Sequence, residues 1–210
     1  MKKIIMIVLV VAVVYTVKPE LFPFSNSKGA FDEQGNPQTL VFTHSNCGKP
    51  CGDAKKILKS RHIDFQEYKL DNNDENIALW KTFGGVNSFP NIIMGDEKEY
   101  TSGKANIVSK LALTYGDGVL KPSERYYMKK HFYDSGEPKL VMYGASWCGY
   151  CKKMREELDD NNIDYIEIDV EKSSKRKSMT ETLDISGYPL VYYGYQRFDG
   201  PRPRDILALF

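Results

Sequence analysis

The reactive chemistry of this chain resides in four cysteines arranged as two close pairs. Cys148 and Cys151 are separated by Gly149 and Tyr150, whereas Cys47 and Cys51 are separated by Gly48, Lys49 and Pro50. Thiols this close can open and close a disulfide. One thiolate attacks a foreign disulfide sulfur, and its neighbour then displaces the product. Position decides which thiol attacks. The segment Lys139-Leu-Val-Met-Tyr-Gly-Ala-Ser-Trp147-Cys148 reads as a short buried strand and a tight loop leading into an amphipathic helix. A sulfur at a helix start meets free backbone N–H groups and the positive end of the helix dipole, both of which favour its anion. Cys148 is therefore the expected nucleophile, and Cys151 the resolving thiol. Trp147 flanks the pair, and Gly149 and Tyr150 form the turn that tunes it.

Close cysteine pairs have two other uses. Cys-x-x-Cys is half of a zinc site, but zinc needs two more ligands, and after residue 138 the chain has no other cysteine and no histidine. A structural staple closing so short a loop constrains little of the unfolded chain. The first pair leaves more open. Its extra residue places Cys47 one position further into the loop, and Asn46 stands where the second pair has Trp147. Three readings fit it: a dithiol exchanging electrons with the second pair, a degenerate domain that holds clients, or a copper site of Cys47, Cys51 and His44, soft ligands suited to that metal. His62 and His131 have no evident partners and read as surface residues.

The elements around the pairs repeat. Cys51 and Cys151, Ile63-Asp64-Phe65 and Ile163-Asp164-Tyr165, and Pro90 and Pro189 recur at about 100 positions, too long for a solenoid unit and right for two domains of one type. Leu40 aligns with Leu140 in this reading. Each copy is expected to run strand, helix, strand, helix, hairpin, helix, an α/β unit with a small mixed sheet. In the second copy the predicted helices begin at Cys151, Lys172 and Pro203. Between the copies, Ser123 is expected to cap a short helix in a linker packed between domains.

The chain has 210 residues, a formal net charge of +1 and 41% hydrophobic residues. A balance so near neutral, with no basic face, argues against a nucleic-acid partner. Met1-Lys-Lys precedes an apolar run from Ile4 to Val17, the pattern of an export signal or an N-terminal membrane anchor. Lys2 and Lys3 are then expected on the cytoplasmic side, with the rest of the chain exported. The division this implies is 1–20 signal or anchor, 21–37 tether, 38–116 first domain, 117–137 linker and 138–210 second domain.

Trp-Cys-Gly-Tyr-Cys after a first strand, with Pro90 and Pro189 opening the third strands, resembles the thioredoxin superfamily. Within it, the order of elements is most similar to the glutaredoxins, which implies tandem βαβαββα domains over 38–116 and 138–210. The resemblance implies thiol–disulfide exchange on protein thiols or small thiols, with a redox partner protein. It also implies that Pro90 and Pro189 are cis and lie against the dithiols. The substrate chain would then meet Phe89-Pro90 and Tyr188-Pro189 beside Trp147 and Tyr150. Glutathione use is not supported by the pattern: Gly187-Tyr188-Pro189 replaces the family's Thr-Val-Pro, and its Gly-Gly pair is missing before the last helix. Phe198-Asp-Gly-Pro-Arg-Pro-Arg-Asp205 is more similar to the ending of glutaredoxin-like redoxins that serve ribonucleotide reductase. Membrane-tethered thioredoxin-like copper chaperones use a similar Cys-x-x-x-Cys with a distant histidine. No dinucleotide fingerprint is present, and no cofactor is expected.

Overall fold

The structure, a computed structural model, describes residues 29–210. The apolar N-terminal run, and the tether as far as residue 28, lie outside the described residues. Among the described residues no helix is long and apolar enough to cross a membrane.

In the first domain β1 (Thr39–Thr43) is followed by α1 (Lys49–Lys59), β2 (Gln66–Lys69), α2 (Asp74–Thr82), β3 (Asn91–Met94), β4 (Glu97–Glu99) and α3 (Lys104–Tyr115). A short α4 (Pro122–Met128) leads to the second set: β5 (Leu140–Gly144), α5 (Gly149–Asp160), β6 (Tyr165–Asp169), α6 (Arg176–Leu183), β7 (Leu190–Tyr193), β8 (Gln196–Asp199) and α7 (Pro203–Leu207). The sheets run β2-β1-β3-β4 and β6-β5-β7-β8. In each, the first strand is central, parallel to the second and antiparallel to the third. The βαβαββα order predicted from the repeat is the order observed.

Both central strands are buried at every position, as a strand paired on two edges and covered on two faces must be. Alternate residues feed opposite layers. Val41 packs with Ala54 and Leu58 of α1 and Ile107 and Leu111 of α3, while Leu40 and Phe42 face Leu70, Phe83 and the side chains of α2. In the second domain Leu140 and Met142 meet Met154 and Leu158 of α5 and Ile206 of α7. The opposite face carries Val141, Tyr143, Leu190 and Tyr192. It is covered by Met179 and Leu183 of α6, by Tyr127 and Met128 of α4, and by Val108 and Ala112 of the first domain's α3. Each fully buried aliphatic of this size contributes roughly 1.5–3 kcal/mol, so this shared cluster fastens the domains to each other.

A buried ion pair adds to the joint. Arg61, just past α1, donates from Nη1 and Nη2 to Glu124 of α4 at 2.5 and 2.6 Å and also bonds the Val119 carbonyl. Burial alone would raise the Glu124 pKa, but the Arg61 bonds, the Lys121 N–H and nearby positive charge outweigh it and hold the carboxyl below its usual range. Removing either partner would strand a charge in the interior.

Helix α5 starts at Gly149, two residues before the predicted Cys151, because Cys148 caps it, and the structure differs from the sequence reading at five further places. Residues 29–37 are part of the first domain instead of the tether: Ala30 is buried, its N–H reaches the Gly95 carbonyl, and Phe31 bridges to Pro37. Ser123 is not the cap of α4. Lys121 holds that position, Pro122 opens the helix, and Glu124 accepts the Lys121 N–H at 2.9 Å. Helix α6 starts at Arg176 and not Lys172, because the Asp169 carboxylate takes the Glu171 and Lys172 N–H groups into a turn. The strands align Leu40 with Val141 instead of Leu140, since Leu40 pairs with Ile93 as Val141 pairs with Tyr192.

The fifth concerns His131, which is fully buried instead of on the surface. Its Nδ1 lies 3.2 Å from the Gly194 carbonyl and its Nε2 2.8 Å from the Tyr143 hydroxyl, and its ring stacks on Tyr192. A carbonyl only accepts, so Nδ1 bears the proton and Nε2 accepts from Tyr143. Burial depresses its pKa to about 3, against the opposing pull of the Gly194 carbonyl. His62 is exposed.

Candidate active site

The second dithiol is built from the end of β5 and the start of α5. Four residues past Gly144, Cys148 occupies the N-cap of α5 in an extended conformation, and its Sγ accepts the Cys151 N–H at 3.0 Å. The cap bond does for sulfur what a Ser or Asp oxygen does at other helix starts: it satisfies an orphan donor and meets the positive helix end. The two cysteines are joined in a disulfide, with Cα atoms 5.2 Å apart. Both cysteines are buried, Cys148 with 6% of its surface exposed and Cys151 with none. Ala145 and Tyr188 complete a small apolar cluster around them.

The carbon skeleton leaves little room beneath the pair. A Cβ at Gly144 would stand 3.1 Å from Cys151 Sγ and 3.2 Å from Glu167 Oε1. Glycine is needed there for space, not for its backbone freedom. Glu167 is fixed by Arg155, whose Nε donates to Oε2 at 2.9 Å.

Above the disulfide lies a groove. The Tyr188–Pro189 peptide is cis and precedes β7, and Pro189 is buried. Trp147 is 72% exposed and meets Tyr188 edge to face at 5.9 Å. Tyr150, also exposed, forms another part of the rim. The structure therefore gathers Trp147, Cys148, Tyr150, Cys151, Tyr188 and Pro189 at one place.

The first dithiol uses the same scaffold differently. Cys47 is again four residues past its strand, but α1 has Gly48 as N-cap, so Cys47 stands one residue outside the helix. Cys51 keeps the third helical position, as Cys151 does. The extra residue therefore lies between the thiols, and Gly48 takes up a positive φ of 54° there. Cys47 and Cys51 also form a disulfide, with Cα atoms 5.7 Å apart. The Phe89–Pro90 peptide is cis, and Phe89 lies between Trp80 and His44 at centroid distances of 6.1 and 5.9 Å. At the place of Gly144 stands Thr43, whose hydroxyl donates to Glu67 at 3.0 Å. Lys55 bonds the same carboxylate.

His44 caps the turn before Cys47, its Nδ1 accepting the Asn46 N–H at 3.3 Å and lying 3.4 Å from Asp71. Among the described residues no three His, Cys, Asp or Glu side chains come together in a group able to hold a metal.

Some residues of the site escaped the sequence reading. Gly144, Glu167, Arg155, Glu171 and Arg176 all touch or border it. The pairing of Lys55 with Glu67 recurs at about 100 positions as Arg155 with Glu167, and that internal recurrence was the available signal.

The protein disulfide-isomerase of Ricinus communis is 30% identical over 88 residues, covering 37% of this chain and 18% of that protein. A protein disulfide-isomerase of Medicago sativa is 26% identical over 88 residues, covering 37% and 17% respectively. The chain thus spans less than a fifth of the length of these curated relatives. The crystal structure of a glutaredoxin from Archaeoglobus fulgidus shares 24% identity, covering 40% of this chain and 90% of that one, with a TM-score of 0.33. The glutaredoxin family model matches twice, over residues 39–98 and 140–198, each span holding one dithiol and one cis-proline, and the chain belongs to the glutaredoxin family as a tandem pair.

Proposed function

We propose that this protein is a thiol–disulfide oxidoreductase whose working centre is Cys148–Cys151. The observation that carries this reading is the Cys148 sulfur at the N-cap of α5, bonded by a helical N–H and bridged to Cys151 at the foot of an aromatic groove. In the reduced form, the Cys148 thiolate attacks a client disulfide. A Cys148–client bond forms and the client's other sulfur leaves as thiolate. Cys151, deprotonated, then attacks the Cys148 sulfur, expelling the second client thiolate and closing Cys148–Cys151. Two electrons pass to the client, and a dithiol partner protein must restore them. Run backwards, the same steps oxidise a client dithiol. The thiols carry both electrons, without a cofactor.

The clients in this reading are protein thiols and disulfides outside the cytoplasm. The apolar run after Lys2 and Lys3 supports export and tethering to the membrane surface. The test is trapping. In cells, Cys151→Ser is expected to accumulate mixed disulfides through Cys148, and Cys148→Ser to abolish them. Absence of any trapped species, together with no reversible closing of either pair in buffers of defined potential, would sink the proposal.

A further inference from the structure

The groove beside Cys148 contains charged residues that the exchange chemistry leaves unused. It has a volume of about 350 Å³, and its lining includes Trp147, Tyr150, Thr180, Ile185 and Tyr188. Among the described residues it has two charged side chains, Glu171 and Arg176. They cancel. Arg176 Nη1 lies 2.7 Å from Glu171 Oε2, and the Tyr188 hydroxyl donates to Glu171 Oε1 at 3.0 Å. One carboxylate thus neutralises the groove's cation and also anchors the aromatic residue that precedes the cis-proline.

Building on the exchange reading, we propose that Glu171 is the specificity-determining residue of this groove. With Arg176 paired and Tyr188 held against Trp147, the groove presents aromatic surface of no net charge next to the reactive sulfur. That surface fits an extended polypeptide with an apolar or aromatic side chain beside its cysteine. A small anionic disulfide is disfavoured, because its carboxylates must displace Glu171 from Arg176 or lose water without a partner. The first domain lacks the device. Asp71 turns both oxygens to the Ser45 N–H, and Phe89 has no hydroxyl to anchor.

The test uses full-length protein, reduced and freed of reductant, in single turnover with two disulfides. One is glutathione disulfide. The other joins 2-mercaptoethanol to a capped, uncharged peptide with phenylalanine beside its cysteine. The readout is the ratio of the two Cys148-dependent rate constants. Glu171→Gln is expected to shift that ratio about fivefold towards glutathione disulfide, the size of one unscreened contact charge in water, and the shift should shrink with added salt. Arg176→Gln is expected to move the ratio the other way. A change in thiol acidity alone would move both rates together and leave the ratio fixed. An unchanged ratio in both variants would overturn the inference while the exchange reading stands. Failure of the unsubstituted protein to react with either disulfide would overturn the exchange reading instead.

Discussion

The two dithiols sit on one scaffold and differ by a single inserted residue with wide consequences. Both first cysteines lie four residues past a central strand, and both second cysteines are third in their helix. Both domains have a cis-proline before the third strand, and both have a carboxylate on the second strand tied to a cation from the helix. In the second domain the first sulfur is the helix cap. In the first domain, Gly48 occupies that place and the sulfur of Cys47 is pushed off the helix end. Cys47 therefore lacks the cap bond from a helical N–H that the Cys148 sulfur accepts. The surroundings differ accordingly. Glu67 is engaged by Thr43, with its pKa lowered because the Lys55 and Thr43 bonds outweigh its burial. In the second domain Gly144 stands where any Cβ would crowd Cys151 and Glu167.

The sharpest break of this comparison is cysteine replacement. Cys148→Ser is expected to cut turnover on a protein disulfide by about a hundredfold or more, as loss of a nucleophile does, whereas Cys47→Ser should leave most of it. Equal losses would mean that the two pairs act in series. Deleting Lys49 is the next largest change. It restores the two-residue spacing, brings Cys47 to the helix cap, and should let its thiol react at lower pH. The pH dependence of Cys47 alkylation in a Cys51→Ser background measures this; an unchanged profile would deny the cap its role.

Gly144→Thr transplants the first domain's residue into the second. Its Cβ must push on Cys151 Sγ and Glu167, and overpacking of this kind costs about 1–3 kcal/mol. Denaturant midpoints of variant and parent give the value, and a neutral result would show that the space below Cys151 is not tight. The smallest effect concerns pH. His131 in the second domain stands where the first has Ala30, each beside the glycine of its hairpin. The folded pKa of His131 is about 3, below the unfolded value of about 6.5. Between these values the unfolded chain binds the extra proton, so stability rises with pH and is lost as pH falls below about 6.5. At pH 5.5 the loss is about 1.4 kcal/mol relative to pH 7.5. Denaturation at both pH values should show it, and His131→Gln should flatten the difference.

Much of this was legible in the chain itself. Apolar runs at Leu40 and Leu140 read as buried strands, and the Cys-x-x-Cys after one of them pointed to the chemistry and to a helix start two residues from the observed one. The recurrence of Pro90 and Pro189 located the third strands. Boundaries were less legible where side chains compete for backbone groups. Asp169 drew Glu171 and Lys172 into a turn that periodicity assigned to helix. Residues 29–37 look like a linker in composition, yet Ala30 and Phe31 close onto the first sheet.

Sequence alone determined the repeat, the order of elements and the two close cysteine pairs, because spacing along a strand or helix is a local property. Tertiary structure decided what each group faces. His131 reads as an ordinary surface histidine until Tyr143, Tyr192 and Gly194 enclose it. Val108 and Ala112 belong to a helix of the first domain but cover the sheet of the second. Glu171 reaches Tyr188 across the groove only because the fold brings the turn after β6 against the cis-proline loop. Such environments depend on packing between segments distant in the chain, and no local pattern encodes them.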